Sequence, residues 1–110
     1  MAQKSHNYIT IIENNRGYIG YCKCCQTVSV CYQNSLFCFQ LPEYQWFCKL
    51  IEERKYMTEY NTSHGKEVLM KTPMNNYYIL FKQSELDEFS EMLQQATFLV
   101  DTFKNAKNLN

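Results

Sequence analysis

The sequence predicts an α+β fold of the two-layer sandwich type, in which an antiparallel sheet of five or six strands carries two helices on one face. Three observations lead there. Apolar residues alternate at a period of two up to Leu41, change to a helical period after Pro42, and pass through both periods again after a polar stretch at 58–66. The composition, 45% hydrophobic and 15% aromatic with three Gly and two Pro, belongs to a packed globule and excludes collagen-like and disordered classes. A length of 110 residues is the size of one domain, expected over 1–110.

Tyr8 to Glu13 is β-branched and aromatic and reads as a strand, and Asn14-Asn15-Arg16-Gly17 follows as a turn of residues that tolerate positive φ. Tyr18, Ile19 and Tyr21 begin the return strand. Val28, Val30 and Tyr32 then alternate with Thr27, Ser29 and Cys31, as in a half-buried strand, which places Cys22-Lys23-Cys24-Cys25 at or beside a hairpin tip. Gln33-Asn34 makes the next turn, and Leu36 to Leu41 forms a strand with Phe37, Phe39 and Leu41 on one face. Pro42 stops that strand and suits the first turn of a helix, where its missing N–H is no loss. Tyr44, Phe47, Cys48 and Ile51 recur at i, i+3, i+4 and i+7, so they form the stripe that packs on the sheet, and the helix runs out near Glu53 or Lys55.

The second half repeats this plan in shorter form. Val68 to Thr72 and Tyr77 to Lys82 read as strands around a turn at Pro73 to Asn76. Ser84 opens a helix with Asp87 as a capping-box partner, and Leu86, Phe89, Leu93 and Ala96 form its buried stripe. Laying residues 34–51 over 76–93 pairs Asn34 with Asn76, Phe39 with Phe81, Glu43 with Glu85 and Phe47 with Phe89. An internal ββα duplication is therefore expected, with halves at about 8–56 and 66–97. The tail, 98–110, carries Phe98, Leu99, Val100 and Phe103 and is expected to form a third helical segment or a docking arm whose end frays.

Eleven Lys and Arg balance eleven Asp and Glu, so no excess charge draws the chain to nucleic acid or to an anionic membrane. The N-terminal stretch holds no secretory apolar run, and no segment approaches the roughly 18 apolar residues of a membrane span. A cytoplasmic protein is expected, and with it reduced thiols at Cys22, Cys24, Cys25, Cys31, Cys38 and Cys48. Cys38 and Cys48 are expected to be buried as small hydrophobes.

Cys22-Lys23-Cys24-Cys25 has the spacing that chemistry needs. A CxxC at a tight turn points two sulfurs the same way and supplies half of a tetrahedral zinc set, with Cys22 and Cys25 as the primary ligands. Cys24, Cys31, His6 and His64 are the candidates to complete it, His6 because it lies just ahead of the first strand. A symmetric dimer sharing four thiolates also satisfies the ligand count. A redox role requires one thiol to be acidified, as happens when CxxC opens a helix, and here strands flank the motif. Glu43 and Glu85 each fall in the first turn of a helix, where a carboxylate favours the dipole, and so they are not read as a catalytic pair. No nucleophile elbow, phosphate-binding loop or HExxH is present, and no catalytic residue is assigned. The aromatic strands lack the basic neighbours of an RNA-stacking sheet. Tyr32, Tyr78 and Trp46 are candidates for an exposed aromatic patch suited to a protein partner.

Gly17, Cys22, Cys25, Asn34, Phe39, Glu43 and Phe47, followed by Pro73 to Phe81 and Ser84-Glu85-Leu86, form a pattern over residues 8–100. It resembles a small bacterial domain-of-unknown-function family whose members carry one CxxC in the first half. The resemblance implies no established activity, and Cys24 adds a thiol between the motif cysteines. The expected function is a non-enzymatic domain working through protein contacts, with another protein or as a homodimer, without a cofactor. The alternative is a zinc-binding or thiol-switch protein centred on Cys22 and Cys25.

Overall fold

The computed structural model describes residues 8–61 and 63–107, with side chains as far as residue 102. Strand β1 (Tyr8–Asn14) returns as β2 (Gly17–Cys22) through the side chain of Asn14, whose Oδ1 accepts hydrogen bonds from the N–H groups of Arg16 at 2.8 Å and Gly17 at 3.0 Å. This Asx turn leaves none of its residues at positive φ, so the tolerance read into Asn14 to Gly17 is not used. Gly17 is needed for a different reason: a Cβ there would meet the carbonyl oxygen of Cys31 at 1.9 Å.

β3 (Thr27–Tyr32) and β4 (Ser35–Gln40) complete a four-stranded antiparallel sheet in the order β1-β2-β3-β4. Ile19 stands opposite Val30, Tyr21 opposite Val28, and Val30 opposite Phe37, so one face of the sheet carries the apolar residues. Tyr32 lies on that face and is buried, not exposed as expected, with its ring stacked on Phe89 at 4.6 Å. Cys38 faces the other way and is exposed, again contrary to expectation, because Phe37 and Phe39 take the core side of the pleat.

Helix α1 (Leu41–Glu53) begins where the Glu43 carboxylate accepts the backbone N–H of Gln40 at 2.8 Å. Its stripe buries Tyr44, Phe47 and Ile51, with Cys48 half-buried, and Arg54 ends it in the left-handed region at φ 54°. A second antiparallel sheet follows, in the order β5 (Met57–Glu59), β6 (Val68–Lys71), β7 (Tyr78–Phe81). β5 lies where a connection was expected, since its polar residues are held by pairing Met57 with Met70 rather than by any local pattern. Helix α2 (Gln83–Lys107) is continuous, so no third helical segment begins at 98; Val100 is buried and extends the stripe of Leu86, Phe89, Leu93 and Ala96 by one turn. Phe98 points outward, and residues 108–110, where fraying was expected, lie outside the described residues. The cap of α2 is also different from the expected Ser84 and Asp87: Glu85 accepts the backbone N–H of Lys82 at 2.8 Å, two residues earlier.

The strands therefore make two sheets of four and three, not one of five or six. A single sheet would require an end strand of one, β1 or β4, to pair with an end strand of the other, β5 or β7, and no such pairing is present among the described residues. Aromatic rings join the halves instead. Tyr32 and Phe81 have centroids 6.5 Å apart, Phe37 and Phe89 6.5 Å, and Phe47 and Phe89 6.1 Å, so the halves meet through side-chain packing rather than through a shared ladder. One buried cluster spans both halves, from Ile19 and Val30 to Leu86 and Val100. α1 packs on β3 and β4, α2 on β1 and β7, and the two helices touch each other. No helix among the described residues is long and apolar enough to cross a membrane.

Candidate metal centre

The turn at residues 23–26 is dictated by its ends. Cys22 closes β2 opposite Thr27, and the N–H of Gln26 donates to the Cys22 carbonyl at 2.8 Å, with Gln26 left-handed at φ 56°. A loop this tight folds its side chains back over the strand ends. The sulfurs of Cys22 and Cys25 come to 3.3 Å, those of Cys22 and Cys24 to 3.4 Å, and those of Cys24 and Cys25 to 3.6 Å. None of the three forms a disulfide among the described residues; Cys22 is buried, Cys25 half-buried and Cys24 exposed. The site is thus a triangle of sulfurs on the rim of the sheet with one corner open to solvent.

Tyr8, directly opposite Cys22 in the β1 register, bonds its hydroxyl to that of Thr27 at 2.9 Å and ties the first strand to the same end of the sheet. The Cys25 thiol is pushed up to about 12, first by its hydrogen bond with Cys22, then by burial and by its contact with Cys24. That crowding opposes ionisation of Cys25, the opposite of what a nucleophilic or redox cysteine requires. A bound cation reverses that preference, because coordinated thiols are deprotonated. A zinc–sulfur bond of about 2.3 Å gives a tetrahedral edge of about 3.8 Å, close to the spacing of this triangle.

The sequence placed Cys22 and Cys25 together, and the structure adds Cys24, which had been one of several candidates, as a third member of equal standing. Cys31 and His64 do not join the group: Cys31 lies on β3 between Tyr18 and Leu36, and His64 is in an exposed turn. His6 lies outside the described residues. Glu43 and Glu85 both act as helix caps, but they differ in surroundings. Glu43 is exposed, whereas Glu85 is buried and also takes Lys66 Nζ at 2.6 Å and Gln33 Nε2 at 2.8 Å. Composition gave no sign of that difference, since it depends on where the β3–β4 turn and Lys66 fall in space.

Neither a curated protein nor a solved structure matches the chain. Residues 4–109 match DUF6686, a family of unknown function, and over that span, which includes the sulfur triangle and both helices, the chain belongs to this family.

Proposed function

We propose that this protein is a non-enzymatic binding module braced by a zinc ion held on Cys22, Cys24 and Cys25, with His6 as the fourth ligand. The reading is carried by three sulfurs mutually within 3.3 to 3.6 Å on one hairpin turn, the donor set and spacing that a thiolate zinc site uses. Three thiols and an imidazole make a closed structural site, with no open position for a substrate. His6 is chosen because it precedes in sequence the strand whose first described residue, Tyr8, stands opposite Cys22. A thiolate from a second copy of the chain is the competing fourth ligand, and it would make the protein a metal-linked dimer.

Zinc at this point would join β1, β2 and β3 at the end of the sheet farthest from the β1–β2 turn, and its binding energy would add to that of folding. The internal duplication belongs to the same proposal. Leu41 and Gln83 open their helices 42 residues apart, Glu43 and Glu85 cap them in the same way, and Phe39–Phe47 and Phe81–Phe89 form matching ring pairs at 4.9 and 5.8 Å. The zinc turn lies outside the repeated unit, as an addition to the first copy.

Elemental analysis of protein purified without chelator tests the metal. The expected result is one zinc per chain, lost in Cys22→Ser/Cys25→Ser and sharply reduced in Cys24→Ser and His6→Ala. Metal-free protein that takes up no zinc on titration contradicts the proposal. A dimer that survives His6→Ala but dissociates on chelation would transfer the fourth position to the second chain.

A further inference from the structure

The two sheets end on open edges that face a common space. Residues 32–37, at the β3–β4 turn and the start of β4, and residues 77–81, which include β7, line the same cleft of about 190 Å³. Every interior strand of a sheet has both edges bonded, whereas β4 and β7 are bonded on one side only. Their outward N–H and C=O groups are the template on which an added strand forms. The cleft opens beside a larger groove of about 890 Å³, bounded by β4, β6, β7 and α1. Phe37, Phe47, Met70 and Ile79 form its buried side. Trp46, Tyr56, Met74 and Tyr77 form its outer side, and they are 61%, 64%, 66% and 50% exposed, an unusual concentration of large apolar surface at one place.

Charge narrows the choice of occupant. The charged residues lining the groove are Lys55 and Lys71, both cationic. Lys71 makes no ion pair among the described residues, and Lys55 has only a 4.0 Å contact with Glu53. The groove therefore offers backbone edges, an apolar side and two ammonium groups, of which Lys55 has one long ion pair and Lys71 has none among the described residues.

We infer that the cleft between β4 and β7, together with the adjoining groove, binds an extended peptide segment that is apolar along its length and acidic at one end. The segment adds a strand to the open edges, sends alternate side chains into the groove, and places its carboxylates at Lys55 and Lys71. This goes beyond the metal reading and does not depend on it, since none of the three cysteines lines either space.

The test uses a displayed library of short random peptides selected on the full-length protein. Enriched sequences are expected to alternate apolar with polar residues and to carry Asp or Glu at one end. A synthetic peptide of that kind should bind about tenfold more weakly to Lys55→Glu/Lys71→Glu. It should also protect backbone amides of β4 and β7 from hydrogen exchange. Enrichment that is equal on wild type and the charge-reversed variant overturns the inference, as does a bound peptide that protects neither strand. Binding of palmitate in the groove with no peptide enriched overturns it in favour of a lipid carboxylate. Both lysines are exposed, so the variant is expected to fold, and its zinc content, measured on the same preparation, separates failure of the docking site from failure of the metal site.

Discussion

Glu85 is the buried charged residue among those described, and its surroundings show what a single carboxylate does in this protein. Burial alone would raise its pKa, but hydrogen bonds from Lys66, the Lys82 backbone and Gln33 outweigh that and hold it down to about 2. Arg16 adds a contact at 4.0 Å from the β1–β2 turn, so one side chain collects groups from both halves of the chain. The folded-state pKa lies below the ordinary 4.5, so the stabilisation is complete above that value and is lost as pH falls from about 4.5 toward 2. Glu85→Gln is expected to cost on the order of 2 kcal/mol near neutral pH and much less near pH 3, where the wild-type carboxylate is losing its advantage. Urea unfolding at the two pH values measures it, and equal losses at both would show that the charge of Glu85 does not stabilise the fold. At this scale the sequence was uneven as a guide. The placement of Glu43 and Glu85 in a first turn was legible, while the capping by Glu85 in place of Ser84 and Asp87, and its burial, were not. Cys38 was misread although the signal was present: its neighbours Phe37 and Phe39 already claimed the core face, and strand parity should have prevailed over the general tendency of cysteine to be buried.

Among the elements, the hairpins and α1 were legible because each is fixed by a local pattern. Period-two alternation marks β3 and β4, and Tyr44, Phe47 and Ile51 mark the stripe of α1. Pairing between distant strands was not legible. β5 has three residues, and its pairing with β6 closes across the loop at 60–67. That β4 and β7 remain in separate sheets is a tertiary outcome with no local signature. The length of α2 could have been read, since Val100 stands four residues after Ala96 on the same stripe. The two helices are joined by a specific contact. The Tyr44 hydroxyl donates to the Leu93 carbonyl at 3.0 Å and lies 3.2 Å from the Thr97 hydroxyl. Tyr44→Phe keeps the ring in the core and removes that link, so a loss of about 1 kcal/mol in unfolding free energy is expected by denaturant titration, with the secondary structure unchanged. An unaltered midpoint would mean that ring packing alone holds α1 to α2.

At the scale of the whole molecule, one apolar core joins the two sheets and two helices, and the features that point to function lie at its margins. The sulfur triangle occupies one end of the four-stranded sheet, and the apolar groove borders the open edge of β4, the opposite side strand from β1. Such a core accounts for folding without accounting for three sulfurs crowded at one turn, a set that a bound cation would hold as thiolates. X-ray absorption at the zinc edge of the purified protein tests this most directly. The account predicts a shell of three sulfurs at about 2.3 Å and one nitrogen at about 2.0 Å. An edge too weak for one zinc per chain, or a shell made of oxygen and nitrogen without sulfur, would contradict it.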